Sequence, residues 1–89
     1  ADHRGQVTIL DVREPAEVVG DLGRIDGSVH IPLGELPQRA GEIERDRPVI
    51  CVCRSGRRSA QAATLLQKAG VNDVANMAGG MIRWRALGL

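Results

Sequence analysis

Aromatic residues are almost missing from this sequence: Trp84 is the only one among 89 residues, and phenylalanine and tyrosine do not occur. Proteins that bind single-stranded nucleic acid stack successive bases on aromatic side chains, so the composition argues against that class. Basic and acidic side chains are nearly balanced, at 12 and 11. We therefore expect no nucleic-acid partner.

Long apolar runs are missing as well. No stretch approaches the roughly 18 consecutive apolar residues that a membrane span requires. The first five residues, Ala-Asp-His-Arg-Gly, do not resemble a secretory signal peptide. We therefore expect a soluble segment that makes no membrane contact.

Cysteine is scarce, and Cys51 and Cys53 are separated by a single residue. On a strand, this spacing is near or beyond the bridging range of about 4.4–6.8 Å, and two cysteines cannot form a disulfide framework. Their roles are then packing or thiol chemistry in a reducing compartment, which we expect to be the cytoplasm. A metal site that adds His3 and His30 would lack recognised ligand spacing, so we predict neither a metal nor a cofactor.

Aliphatic residues dominate the 43% of the chain that is hydrophobic. A chain of this length forms one domain, residues 1–89. Strand patterns at residues 7–12, 29–31, 49–53 and 71–77 alternate with helical patterns that start at Pro15 and cover residues 37–43, 59–69 and 81–87. This order predicts an α/β fold of three layers, in which helices cover both faces of a mostly parallel central sheet. Residues 49–53 are apolar at every position, which is typical of a central strand.

The predicted central strand ends at Cys53, and an arginine-rich loop with one glycine leads from it into a helix. Ligands of parallel sheets bind beyond the carboxyl ends of the strands, where helix N-termini offer free N–H groups to anions. Those N–H groups, the helix dipole and the guanidinium groups all favour a thiolate. An ordinary cysteine is only about 3% thiolate at pH 7, whereas a pKa lowered by about two units makes it mostly thiolate. Cys53 is therefore the candidate nucleophile, and Cys51 is expected to be a core residue.

Four segments resemble rhodanese-like sulfurtransferase domains in the same order and spacing. The loop Cys53-Arg54-Ser55-Gly56-Arg57-Arg58-Ser59 is similar to the family's active-site loop. The others are Leu10-Asp11-Val12-Arg13-Glu14, similar to an Asp-x-Arg segment, then residues 23–32, similar to a Gly-His-Ile-Pro-Gly-Ala-x-x-Ile-Pro stretch, and residues 79–84, similar to Gly-Gly-x-x-x-Trp. Within residues 23–32, Arg24 and Asp26 stand where the family usually has His and Pro.

The resemblance implies that Cys53 takes a sulfur from thiosulfate or a similar small anionic donor and carries it as a persulfide. A thiol, cyanide or a protein then accepts that sulfur. The residues expected to bind the donor are Arg54, Ser55, Gly56, Arg57 and Arg58. Asp11, Arg13 and Ser59 are expected to support the site, with Arg58 paired to an acid such as Asp11. Trp84 and the Gly79-Gly80 pair are read as packing and turn residues, and both histidines as surface residues.

The family's domains usually have a further strand and helix before the Asp-x-Arg strand, but only six residues precede Val7. We expect this N-terminal edge of the sheet to be absent or to be supplied by a neighbouring segment. An uncovered edge predicts marginal stability.

Two other readings of the loop remain open. A cysteine phosphatase or arsenate reductase uses the same thiolate in an anion-binding loop, but phosphatase loops place five residues between cysteine and arginine, whereas Cys53 and Arg58 enclose four. The domain could also be a non-catalytic or slow sulfur carrier or sensor fused to another domain.

Overall fold

A computed structural model describes residues 7–88. Its core is a four-stranded, all-parallel sheet in the order β2-β1-β3-β4. The strands are β1 (Thr8–Asp11), β2 (Val29–His30), β3 (Val49–Val52) and β4 (Val74–Asn76), and the helices are α1 (Pro15–Val18), α2 (Leu36–Arg39), α3 (Arg57–Lys68) and α4 (Gly80–Ala86). Short 3₁₀ turns, Leu33–Glu35 and Ala40–Glu42, flank α2. The predicted fold class is confirmed.

Alternate residues of the two inner strands pack into different layers, because successive side chains of a strand point to opposite faces. Leu10 and Cys51 lie in a cluster with Leu36 of α2 and Leu66 of α3. On the other face, Val52 packs against Met81 of α4, with Trp84 beside it. Covering β3 from both sides explains why its sequence is apolar throughout, as predicted for a central strand.

Two predicted elements differ from those observed. Residues 37–43 do not form one helix: Leu33 already begins a 3₁₀ turn, and α2 is a single α-helical turn with Pro37, which has no N–H to donate, near its start. Residues 71–73 do not belong to β4, because the Val71 N–H donates to the Leu66 carbonyl oxygen at 2.9 Å and so closes the end of α3.

Because all four strands run in one direction, their carboxyl ends meet at one edge of the sheet, which includes Asp11, His30 and Asn76. Cys53 follows β3 directly at this edge. The described residues contain no helix that is both long and apolar enough to cross a bilayer. The prediction that the N-terminal edge of the sheet is absent depends on the residues before Val7. Residues 1–6 lie outside the described part of the chain, so this prediction stays a prediction.

Candidate active site

The Cys53 sulfur lies inside the curled loop of residues 53–58, hereafter the Cys53 loop. The Gly56 N–H donates to Sγ at 3.0 Å, and the Ser59 hydroxyl oxygen is 3.4 Å from Sγ. The residue is only 1% exposed. Although it borders the aliphatic cluster on the α3 side of the sheet, its sulfur meets hydrogen-bond donors rather than hydrocarbon alone.

These contacts change the acidity of the thiol. Burial works to raise the pKa of Cys53, but hydrogen bonds from the Ser59 side chain and from the backbone of Ser59, Gly56 and Ser55 outweigh it, and the net pKa is lowered. Gly56 makes the curl possible, since its φ of 109° lies in the left-handed region that favours glycine. The loop therefore favours an ionised Cys53.

Cys51 shows the opposite behaviour two residues earlier. It is fully buried on the same side of the sheet. Burial raises its pKa to about 12, and no hydrogen bond offsets that effect. The prediction that Cys51 is a core residue and not a second reactive thiol agrees with this environment.

Helix α4 fixes the outer side of the Cys53 loop. The Met81 N–H donates to the Cys53 carbonyl oxygen at 2.8 Å, and the Ile82 N–H to the Arg54 carbonyl oxygen at 3.1 Å. In a trans peptide the N–H points away from the carbonyl oxygen. Holding the Arg54 carbonyl toward α4 thus turns the next N–H, that of Ser55, toward the sulfur.

The backbone of Gly80 is packed directly against the Cys53 loop. A Cβ atom at position 80 would overlap the Cys53 carbonyl oxygen and come within 2.6 Å of the Arg54 carbonyl oxygen. The φ of Gly80 is also positive, at 55°. The Gly79-Gly80 pair, read from the sequence as a turn, is therefore also the contact that lets α4 approach the loop.

Asp11 and Arg13, both expected to support the site, form a buried ion pair with each other. Arg13 Nη2 donates to Asp11 Oδ2 at 2.7 Å and to the Gly23 carbonyl oxygen at 2.7 Å. Its Nε donates to Asp11 Oδ1 at 2.9 Å. Both residues are at most 2% exposed, so the pair ties the end of β1 to the segment before β2.

The expected partner of Arg58 was wrong. Arg58 does not pair with Asp11, whose carboxylate is occupied by Arg13; it forms a two-point ion pair with Glu17 of α1, at 2.5 and 2.7 Å. Hydrogen bonding to Arg58 lowers the pKa of Glu17 to about 2, and the same contact raises the pKa of Arg58. Arg58 is thus a link between α1 and α3.

The other two loop arginines, Arg54 and Arg57, are exposed, and so is Ser55. A cavity of about 100 Å³ includes Arg54 among its lining residues, together with Arg13, Glu17, Gly20, Asp21 and Leu22. Cys53 does not line it. The cavity therefore adjoins the loop without containing the sulfur.

Ser59, at the start of α3, contacts the Cys53 loop and also Asn76, a partner that the sequence did not predict. Its Oγ is within 3.2 Å of the Gly56 carbonyl oxygen and bonds to Asn76 Oδ1. Asn76 ends β4, where the register pairs it with Cys51. The only signal in the sequence was its position at the end of a strand beside the predicted central one.

His30 is half-buried, and its Nε2 is 2.7 Å from the Arg13 carbonyl oxygen, so it is not a plain surface residue. His3 lies outside the described residues. Among residues 7–88, no three His, Cys, Asp or Glu side chains come together as metal ligands would.

The sequence of this chain matches a known protein family and proteins of similar sequence. The family model described as a rhodanese-like domain matches residues 1–87. A sulfurtransferase of Allochromatium vinosum is 41% identical over 83 residues, which cover 93% of this chain and 76% of that protein.

Two solved structures of other proteins contain a domain that superposes on this chain. A rhodanese-related protein from Thermoplasma volcanium superposes with a TM-score of 0.87 at 35% identity, covering 97% of this chain and 83% of the other. A NAD-dependent persulfide reductase from A. fulgidus gives a TM-score of 0.75 at 38% identity, with 89% of this chain but only 14% of the reductase covered. A domain of this shape thus also occurs inside a longer protein.

Proposed function

Because the chain belongs to the rhodanese-like domain family, we propose that it is a sulfurtransferase that moves a sulfane sulfur from thiosulfate or a similar anion to a thiophilic acceptor through a persulfide on Cys53. The observation that carries this proposal is the position of Cys53 Sγ inside the loop, 3.0 Å from the Gly56 N–H donor and with a lowered pKa. The sulfurtransferase of A. vinosum supports the reaction class.

The first step loads the enzyme. The Cys53 thiolate attacks the outer sulfur of thiosulfate and forms a new S–S bond, while the S–S bond of thiosulfate breaks and sulfite leaves with the electron pair. The product is a persulfide whose terminal sulfur is anionic near neutral pH. The step is nucleophilic, so the fraction of Cys53 that is thiolate limits its rate.

The second step unloads it. A thiolate or cyanide attacks the outer sulfur, and Cys53 leaves as a thiolate. Because the Gly56 N–H already points at Cys53 Sγ, the negative charge that returns to this atom on transfer is stabilised without reorganisation of the loop. A low pKa also makes Cys53 a good leaving group.

The loop residues divide into two roles. Arg54, Ser55, Gly56 and Arg57 are proposed to bind the donor: the exposed arginines attract the anion, and the N–H groups receive it. Ser59, Asp11 and Arg13 are proposed to hold the loop in place, since each is bonded to neighbouring protein groups. Arg58, expected from the resemblance to bind the donor, is assigned to the same supporting role because Glu17 holds its guanidinium group.

A phosphatase activity is not favoured, for two reasons. The four residues between Cys53 and Arg58 make a smaller ring than the five typical of phosphatases. In addition, the Arg58 guanidinium is held by Glu17 and is not turned into the loop. We expect no hydrolysis of an aryl phosphate, and Cys53-dependent hydrolysis would contradict this assignment.

A second candidate is a sulfur carrier or sensor that forms the persulfide but turns over slowly within a longer protein. The match to a small part of the persulfide reductase supports keeping this candidate. The two free cysteines suit a reducing compartment, for which we propose the cytoplasm. Steady-state transfer from thiosulfate to cyanide separates the candidates, because a carrier alone would load once and then stop.

Intact-mass measurement after exposure to thiosulfate tests the proposal. The chain and its Cys51→Ala variant are expected to gain one sulfur atom, and the Cys53→Ser variant to gain none. Addition of cyanide should restore the original mass. A chain that gains no sulfur, or one whose gain depends on Cys51, would overturn the proposal.

A further inference from the structure

The Ser59 hydroxyl has more acceptors around it than it has protons. It is completely buried, and three groups lie within hydrogen-bond reach: Cys53 Sγ at 3.4 Å, the Gly56 carbonyl oxygen at 3.2 Å, and Asn76 Oδ1. A serine hydroxyl supplies one donor and can accept from others. Which group receives its proton therefore depends on whether Cys53 carries one.

With a neutral Cys53, one arrangement of protons pairs Cys53, Ser59 and Asn76 in a chain. The thiol S–H donates to Ser59 Oγ, and the Ser59 O–H donates to Asn76 Oδ1. When the thiol proton leaves to solvent, the sulfur becomes a charged acceptor, and the Ser59 proton is needed there. The Asn76 carbonyl then has no donor opposite it, and two lone pairs of oxygen face each other.

A half-turn of the Asn76 side-chain amide removes this conflict. It replaces Oδ1 by the Nδ2 group, which donates to Ser59 Oγ and so frees the hydroxyl proton for the sulfur. Asn76 is exposed at the end of β4, which is the outermost strand on its side of the sheet among the described residues, so its amide has room to turn.

We propose that Asn76 is a positioning residue for Cys53: its amide turns when Cys53 ionises, donates to Ser59, and thereby directs the Ser59 hydroxyl to the thiolate. The proposal rests on the proposed function only in taking Cys53 as the nucleophile. Hydrogen bonds to charged groups are stronger than neutral ones, so this relay favours the thiolate.

The charged groups around Cys53 lie on elements other than β4. Arg58 on α3 interacts with the Cys53 charge and is paired with Glu17 on α1. Further charges on the surrounding segments are the Asp11–Arg13 pair after β1, the exposed Arg54 and Arg57 of the loop, and Arg83 and Arg85 of α4. Strand β4 itself, Val74–Asn76, has no titratable side chain. Replacing Asn76 by alanine thus leaves every one of these charges in place.

The test is the pH dependence of Cys53 alkylation by iodoacetamide in the Cys51→Ala background, without any sulfur donor. Asn76→Ala is expected to raise the midpoint by about half a pH unit, and Asn76→Asp, which cannot donate to Ser59 and also adds a negative charge, by about one unit or more. In a Ser59→Ala background, Asn76→Ala is expected to have no further effect, since its influence passes through Ser59.

Asn72→Ala is the matched control, because Asn72 is an exposed asparagine before the opposite end of β4, and it should leave the midpoint unchanged. An unchanged midpoint in Asn76→Ala would overturn the proposal, and so would an equal shift with and without Ser59. Because alkylation needs no sulfur transfer, this failure is distinct from a failure of the proposed function, which the thiosulfate mass measurement reports.

Discussion

Cys51 and Cys53 are two residues apart, so their side chains point to the same face of the sheet, yet their pKa values are shifted in opposite directions. Both are buried on the side of the sheet that faces α3. Cys51 has only apolar surroundings, and burial raises its pKa to about 12, whereas the loop hydrogen bonds lower the pKa of Cys53 despite its burial. Burial alone therefore does not decide reactivity here; the donors do.

This contrast predicts selective alkylation. At pH 7, iodoacetamide should modify one thiol per chain, because Cys51 has a negligible thiolate fraction. Cys51→Ala should react at the rate of the unchanged chain, and Cys53→Ser should not react until the protein is unfolded. Peptide mapping of the labelled site gives the measurement, and label on Cys51 in the folded chain would contradict the prediction.

Helix α4 and the Cys53 loop act as one unit, joined at Gly80. A side chain at position 80 would overlap the loop backbone, and the positive φ adds strain for any residue other than glycine. We predict that Gly80→Ala raises the midpoint pH of Cys53 alkylation, because the loop amides move away from the sulfur, and lowers the free energy of unfolding by about 3 kcal/mol.

Gly27→Ala is the matched control for that change. Gly27 also has a positive φ, of 81°, but open space where a Cβ would be built. It should cost about 1 kcal/mol from backbone strain alone and leave the alkylation midpoint unchanged. Equal effects of the two substitutions on the midpoint, measured side by side with urea unfolding, would show that close packing at Gly80 does not position the loop.

The Glu17–Arg58 pair joins α1 to α3 and makes stability depend on pH. The folded pKa of Glu17, about 2, is below the ordinary glutamate value of 4.5, so the stabilisation is complete above pH 4.5 and is lost as pH falls toward 2. Both side chains are about one-third exposed, which limits the contribution at neutral pH to about 1 kcal/mol.

Glu17→Gln is therefore expected to be about 1 kcal/mol less stable than the original chain at pH 7 and nearly equal to it at pH 2. Urea unfolding at a series of pH values measures the difference. Glu44→Gln, a change at an exposed acid that pairs with Arg47 three residues later, is the control. A stability difference for Glu17→Gln that stays constant from pH 7 to pH 2 would contradict the assigned pair.

The sequence pattern predicted the four strands, most of the helices and the loop that follows Cys53, but not the partners of that loop. Apolar runs such as residues 49–53 identified the strands, and the loop after Cys53 identified the site, because both signals are local. Arg58 and Glu17 are 41 residues apart, and Ser59 and Asn76 are 17 apart, so their contacts depend on helix docking and strand order. The prediction of one helix over residues 37–43 is wrong because α2 is a single turn, Leu36–Arg39, between two 3₁₀ turns.

The molecule as a whole is nearly neutral, with a formal net charge of +1, so attraction of an anionic donor depends on where the arginines lie. Arg54 and Arg57 are exposed at the carboxyl edge of the sheet, beside Cys53. Lys68 is at the far end of α3, about 16 Å from Arg57 along the helix axis. This exceeds the Debye length of about 8 Å in physiological salt.

Replacing Arg54 and Arg57 together by glutamine is predicted to raise the KM for thiosulfate severalfold with a smaller change in kcat, and the difference should shrink at about 1 M salt. Lys68→Gln removes a charge outside the screening distance and should change neither constant. Steady-state rates with cyanide as acceptor at two ionic strengths measure the effect. A KM unaffected by the double substitution would mean that the donor is not drawn in by these side chains.

The hydrogen bonds of the Cys53 loop favour the ionised thiol, and we propose that this thiolate takes up the sulfur. The most direct measurement is the initial rate of sulfur addition to Cys53 from thiosulfate, followed by intact mass across a pH series in the Cys51→Ala background. Because the loop hydrogen bonds lower the pKa of Cys53, we expect the midpoint of this rate to lie below the ordinary cysteine pKa of about 8.5. A rate that rises about tenfold per pH unit through neutrality to a midpoint at or above that value would contradict it.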